Sequence, residues 1–248
     1  MAIISITNVV ISVKGDDIMK IGISLATLSM LFSGVVSGTS TDNYGEESKI
    51  AETGISKEYF EDMVQRDKEL MQRVEDELKL DLQNRNGGID LKTVNASQGE
   101  VGEIWVSTSG QSSGVAFVGH AAIISTSTLY TIEAYAKDFS PRKVGGVQYY
   151  YNDWASRDIN RIRLGNRVSS LSKRKGAAEW AEAQVGKPYF IDPTNKYRTD
   201  KFYCSQLVWN AWRSQGNDID YIRWDQAVTP AELVKSDATI ALWSDLSR

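Results

Sequence analysis

Apolar residues recur at helical spacing between Ile55 and Leu78, and beyond residue 99 they fall into short runs of strand length. In the first stretch Phe60, Met63, Met71, Val74 and Leu78 form one stripe on an otherwise charged helix. Ser56 suits the N-cap, Ile55 can pack on Phe60 as a hydrophobic staple, and Asn86, Gly87 and Gly88 end the pattern. The pattern predicts an accessory helix over 56–88. So narrow a stripe suits docking on the following domain better than holding a cofactor. The polar, Gly-containing stretch 39–55 reads as a linker.

The main domain is expected over 95–248, where all seven Trp residues lie. Strands are predicted at Ile104–Val106, Val115–Ser125, Leu129–Lys137 and Ile159–Leu164. Leu171–Val185 reads as a helix stopped by Gly186 and Pro188. A second helix covers Cys204–Ser214, with Thr199 or Asp200 near its start and Gly216 past its end. Thr229, Pro230 and Glu232 form a capping box that announces one more short helix. The class is α+β.

The N-terminus changes this picture little. From Met19 the sequence runs Met-Lys, then the apolar stretch Ile21 to Val36, then Ser37, Gly38, Thr39 and Ser40, which is the order of a secretory signal. The stretch falls short of the roughly 20 apolar residues of a spanning helix. Residues 1–38 are therefore expected to form a leader cleaved near Gly38, with translation starting at Met19 and the mature chain secreted or associated with the cell envelope. A buried N-terminal strand and helix is the alternative. No membrane span is expected after signal removal.

The chain has 248 residues, 42% hydrophobic and 24% charged, which is enough for one good core. A net charge of −4 gives no electrostatic reason to expect nucleic acid or an anionic membrane as partner. Lys173, Arg174 and Lys175 read as a solvated face. One Cys and one His would need two carboxylates to complete a zinc site, and no spaced Cys/His cluster exists, so neither metal nor cofactor is expected.

Those two unique residues carry the candidate chemistry. A thiol attacks a carbonyl as thiolate, so a catalytic Cys needs an imidazole and benefits from the positive end of a helix. Cys204 begins a predicted helix, and its N–H would be placed to stabilise an oxyanion. Free Cys is also among the most buried residue types, and Cys204 sits beside Tyr203, Leu207 and Val208, so its position alone leaves both readings open. His120 heads an apolar strand, where a buried ring must find a partner. A two-residue turn at Thr126 and Ser127 would put Ile123 opposite Tyr130 and His120 opposite Glu133, making Glu133 the acid that orients the ring. A single-residue slip would send Glu133 to the other face, with Asp138 as fallback. Gly110-Gln111-Ser112-Ser113-Gly114 matches a serine-hydrolase elbow, but that elbow needs a following helix and a late His, so it reads as a flexible loop.

With these residues in place the chain resembles the circularly permuted branch of the NlpC superfamily of papain-like cysteine hydrolases, the YiiX/YycO-like amidases. The likeness spans 99 to about 240. It rests on Gly102-Glu103-Ile104, Gly119-His120, Glu133, Gly186-Lys187-Pro188-Tyr189, Tyr203-Cys204-Ser205-Gln206-Leu207-Val208 and Thr229-Pro230 with Leu233, in that order. His120 precedes Cys204, as in the permuted branch. The resemblance implies a papain-like central antiparallel sheet packed by helices, and amide hydrolysis with Cys204 attacking, His120 moving the proton and Glu133 orienting His120. Gln206 departs from the Glu that relatives often carry, which bears on substrate details. For an exported protein of this kind the implied substrate is the stem peptide of the cell wall. An acyl-chain hydrolase or acyltransferase using the same site is the alternative, and an inactive binding module a third. Oligomeric state is not legible.

Overall fold

The computed structural model describes residues 55–85, 98–109 and 117–248. The chain divides into two units, Met1–Thr39 and Ser40–Arg248, and every described residue belongs to the second. The expected leader, the linker up to residue 54 and the Gly110–Gly114 loop lie outside the described residues.

Helix α1 spans Lys57–Arg85 and is followed by strands β1 Ile104–Ser107, β2 His120–Ile124, β3 Tyr130–Tyr135, β4 Gly146–Tyr151 and β5 Arg161–Asn166. Helices α2 Leu171–Glu182, α3 Cys204–Arg213 and α4 Pro230–Lys235 precede the last strand, β6 Thr239–Asp245. The six strands form one sheet in the order β4-β3-β2-β1-β5-β6, and each neighbouring pair is antiparallel. This is the α+β architecture, an antiparallel sheet packed by helices.

Strand alternation gives the sheet two buried faces. Ile104, Val106, Ala121, Ile123, Ile132, Ala134, Ile162 and Leu164 pack with Leu207, Val208, Ala211 and Trp212 of α3 in the main core. On the other face Trp105, Ala122, Ile124, Trp154 and Trp243 make a second cluster, with Trp105 stacked on Trp154 at 5.9 Å. Every residue of α3 from Cys204 to Trp212 is buried. A helix buried all round sits within the core, its polar Ser205, Gln206 and Asn210 hydrogen-bonded there, so the position of its first residue is fixed by packing.

Helix α1 docks as its stripe predicts. Phe60, Met63, Leu70, Met71 and Val74 are buried, and Ser56 Oγ accepts from the Tyr59 N–H at 3.2 Å at the N-terminus. Ile55, Phe60 and Met63 share a cluster with Phe117, Tyr203 and Ala227, so this end of the helix packs with the residue that precedes Cys204.

Several boundaries differ from expectation. The strand expected from Val115 begins only at His120, because Asp67 Oδ2 of α1 takes the Val118 N–H at 2.8 Å and Gly119 adopts φ +90°. Helix α2 ends at Glu182 rather than Val185. Strands β4 and β6 were not expected. Neither Thr199 nor Asp200 caps α3. Asp200 pairs with Arg198 at 2.9 Å, and Tyr203 takes the cap position with its N–H donating to Gln206 Oε1 at 3.4 Å.

Candidate active site

His120 is the first residue of β2, and the local sequence holds it there. Its N–H donates to Ser107 Oγ at 2.9 Å across the strand pair. The preceding Gly119 passes so close to β1 that a Cβ would collide with the Ser107 carbonyl oxygen. Gly119→Ala is therefore expected to lose about 2 kcal/mol or more, from positive φ and from the clash together. Thermal unfolding reads the loss, and an unchanged midpoint would show that the strand start relaxes freely.

The imidazole is buried and flanked by aromatic rings, with Tyr135 at 4.0 Å and Trp154 at 5.9 Å. Its Nε2 meets Glu133 Oε2 at 2.7 Å. The register that brings them together is not the expected one. Ala122 pairs with Glu133 and Ile123 with Ile132, because the β2–β3 turn is four residues long, closed where the Ser125 N–H donates to the Tyr130 carbonyl at 3.1 Å. The pairing slips by two residues from the expected one. A two-residue slip preserves the face, so Glu133 becomes a diagonal neighbour of His120 and still reaches it. Asp138, the fallback acid, is exposed in the turn after β3.

Glu133 is fully buried and its second oxygen is heavily served. Oε1 accepts from Thr131 Oγ1 at 2.6 Å, Trp154 Nε1 at 3.0 Å and an Arg157 NH2 at 3.1 Å. Burial pushes its pKa up. The Arg157 charge and the bonds from His120 and Thr131 outweigh that and hold it well below the usual carboxylate range. An ionised carboxylate only accepts, so Nε2 carries the proton and Nδ1 is the basic atom of the neutral ring.

Nδ1 is buried with no nitrogen or oxygen partner, and the ring is within interaction range of Cys204. Burial lowers the His120 pKa. Hydrogen bonding and charge from Cys204, then from Glu133, more than offset it, so the ring's pKa lies above its ordinary value. A basic nitrogen and a thiol in this relation can share one proton.

Three segments fix the thiol. Leu207 N–H bonds to the Tyr203 carbonyl at 3.0 Å, so the N–H groups of Cys204, Ser205 and Gln206 form the positive start of α3. Tyr203 hydroxyl accepts from the Val228 N–H at 2.9 Å and Ser205 Oγ donates to the Val228 carbonyl at 2.7 Å, which clamps the helix start to the segment leading into Thr229-Pro230. The Gly186–Tyr189 segment ties β4 to the same place. Gly186 N–H donates to the Val147 carbonyl at 2.8 Å, and Phe202 N–H donates to the Pro188 carbonyl at 3.0 Å. Gln206, the departure noted above, faces no cleft. Its amide is fully buried and donates to the carbonyls of Lys196 at 3.1 Å and Arg198 at 3.3 Å.

With a thiol at a helix start and an imidazole on a strand in permuted order, residues 105–240 match the family described as permuted papain-like amidase enzyme, YaeF/YiiX, C92 family. The match covers more than half of the chain. The protein belongs to this family. It is accordingly an amidase-type enzyme with a permuted papain-like fold. Among solved structures, one described as the metalloprotein yiiX from Escherichia coli O157:H7 is similar at 16% identity and a TM-score of 0.46, covering 60% of this chain and 98% of that one. No curated protein matches the sequence. Among the described residues of this amidase, no group of three or more His, Cys, Asp and Glu side chains is placed to hold a metal ion.

The structure thus brings His120 and Glu133 into direct contact and sets Cys204 in interaction with His120. Sequence reasoning missed Thr131, Trp154 and Arg157 around Glu133, and Asp67 behind the His120 strand. Thr131 had a legible signal, since residues two apart on a strand share a face. Trp154 and Arg157 arrive from the turn after an unpredicted strand, and no local pattern marks them.

Proposed function

We propose that this permuted amidase is an exported cysteine hydrolase that cleaves an amide bond in cell-wall peptide, with Cys204 as nucleophile, His120 as base and acid, and Glu133 orienting the ring. The observation that carries the reading is the Nε2 to Glu133 contact of 2.7 Å, which leaves Nδ1 basic on a ring coupled to the thiol at a helix start. Nδ1 takes the thiol proton, and Sγ attacks the amide carbonyl carbon. First-turn N–H groups of α3 stabilise the oxyanion. The proton passes from Nδ1 to the departing amine as the C–N bond breaks, which leaves a thioester on Cys204. Water then gives a proton to His120, attacks the thioester and releases the acid, and Sγ recovers the proton.

Peptide is favoured over acyl chains because the apolar ring that precedes Cys204, Tyr203, is packed with Phe117 and Ala227 and with Phe60 and Met63 of α1. Export rests on the Met-Lys, apolar and small-residue order from Met19. N-terminal sequencing of the exported protein is expected to begin near residue 39, and residues 1–18 found there would overturn both the start and the cleavage.

The decisive experiment incubates wild type and Cys204→Ala with purified cell-wall peptides and, separately, with phospholipid. Wild type is expected to release new amino groups from the peptides, with no fatty acid from the phospholipid, and Cys204→Ala to do neither. Turnover surviving in Cys204→Ala would overturn the thiol mechanism, and fatty-acid release by wild type would overturn the substrate.

A further inference from the structure

Arg157 belongs to no motif of the sequence, yet its geometry is tightly determined. The guanidinium lies 4.2 Å from the Trp154 ring centroid, donates through Nε to Asp153 Oδ1 at 2.7 Å, and through NH2 to Glu133 Oε1 at 3.1 Å. The Glu133 end of this chain of contacts has no exposure, whereas the Asp153 side chain is 60% exposed. The Asp153 contact is thus screened by water and the Glu133 contact is not.

We propose that Arg157 is a positioning residue of the active site, whose buried charge balances Glu133 so that the thiolate of Cys204 and the imidazolium of His120 form in a site that is otherwise neutral. This rests on the roles assigned above to Cys204, His120 and Glu133. The charged and titratable groups around Glu133 are few. His120 comes from β2, Tyr135 from β3, Tyr150 from β4, Asp153 and Arg157 from the turn after β4, and Cys204 from α3. Burial raises the pKa of both tyrosines, which stay neutral at working pH. Asp153 is screened by water, so the fixed buried charges are Glu133 and Arg157, and they cancel. With Arg157 gone the site carries −1 before the thiol ionises. Forming the thiolate then becomes harder and losing the imidazolium proton becomes harder too, so both transitions move to higher pH.

A residue that merely packed there would change the amplitude of reactivity and leave its pH midpoints in place. Because Cys204 is the single cysteine, its ionisation can be followed without any substrate, by the rate of alkylation with iodoacetamide against pH. Wild type is expected to show an inflection below about 8.5, the ordinary thiol value. Arg157→Gln keeps a hydrogen-bond donor and removes the charge. It is expected to raise the inflection by about one pH unit, which is about a tenfold slower reaction on the acid side. Arg157→Lys keeps the charge and is expected to restore the wild-type inflection. An unmoved inflection in Arg157→Gln, or an equal upward shift in Arg157→Lys, overturns the proposal, and circular dichroism of each variant establishes that folded protein is compared. His120→Ala separates the two levels of argument. If wild-type Cys204 titrates as an ordinary thiol and His120→Ala changes nothing, the active-site reading itself fails. If His120→Ala shifts the inflection and Arg157→Gln does not, the role of Arg157 alone is wrong.

Discussion

Glu133→Ala is expected to lower the turnover of amide substrate by roughly a thousandfold and to destabilise the protein by about 3–5 kcal/mol. The two losses have separate causes. Turnover falls because the Nε2 proton loses its acceptor, so the ring is free to flip its tautomer and present N–H rather than a basic nitrogen to the thiol. Stability falls because Arg157, with its side chain 18% exposed, would keep its charge after losing the partner 3.1 Å away, and because Trp154 Nε1 and Thr131 Oγ1 lose theirs. Glu133→Gln is not expected to rescue either one. Oε2 accepts from His120 and Oε1 accepts from three donors, so both ends of the group must be acceptors. An amide offers one acceptor end and one donor end. With N–H toward the donors of Oε1 it meets N–H, with N–H toward His120 it draws the ring into the tautomer protonated at Nδ1, and in both cases the charge opposite Arg157 is gone. Turnover and urea unfolding of both variants test this. A Glu133→Gln protein within threefold of wild-type turnover would show that a carboxylate is not required.

That site shows which parts of a fold a sequence discloses. His120 and Glu133 were placed on one face although the turn between them was misjudged by two residues, because side chains on a strand repeat every second position and an even error leaves the face intact. An error of one residue would have lost the acid. Cys204 was legible as the start of α3 because the apolar residues behind it, Leu207, Val208, Trp209, Ala211 and Trp212, belong to a core helix. Its cap was not legible. Thr199 and Asp200 are good capping types, but the Phe202 N–H is committed to the Pro188 carbonyl at 3.0 Å, which keeps the chain extended up to Tyr203. Strand β4 is an edge strand in which Tyr149 and Tyr151 are exposed and Tyr150 is buried, so three identical residues conceal the apolar/polar alternation that marks a strand. Missing β4 hid Arg157 as well, because only the turn after that strand carries the guanidinium to Glu133.

Stability is expected to fall as pH rises from about 6 to 9, the reverse of what a surface rich in paired carboxylates would give. The cause lies where the start of α4 meets α1 and the loop before it. Glu232 is buried there. Desolvation, followed by repulsion from Asp225 and Asp220, pushes its pKa up to about 9 against the partial relief of the Thr229 N–H, which it accepts at 2.7 Å. Burial likewise raises Asp67 and Asp220 to about 6 each, the latter despite Lys196 Nζ at 2.5 Å. A carboxyl with a raised folded pKa holds its proton in the native state after the unfolded chain has released it. Its contribution is therefore complete below about 4.5 and is lost as pH climbs to the folded value, at up to about 1.4 kcal/mol per pH unit for each group. Asp67 and Asp220 spend theirs by about pH 6, which leaves Glu232 to act up to pH 9, with His120 in the same direction above its ordinary value. Glu133, whose pKa is lowered, acts oppositely, and its contribution is lost in strong acid as pH falls through its folded value. The maximum of stability thus falls on the mildly acidic side. Glu232→Gln keeps an oxygen for the Thr229 N–H and carries no charge to bury, so urea unfolding across this range should show a shallower slope between pH 6 and 9 than wild type. An identical slope would place the alkaline loss elsewhere in the molecule, and a wild type that gains stability from pH 6 to 9 would mean that Glu232 is ionised in the native state throughout.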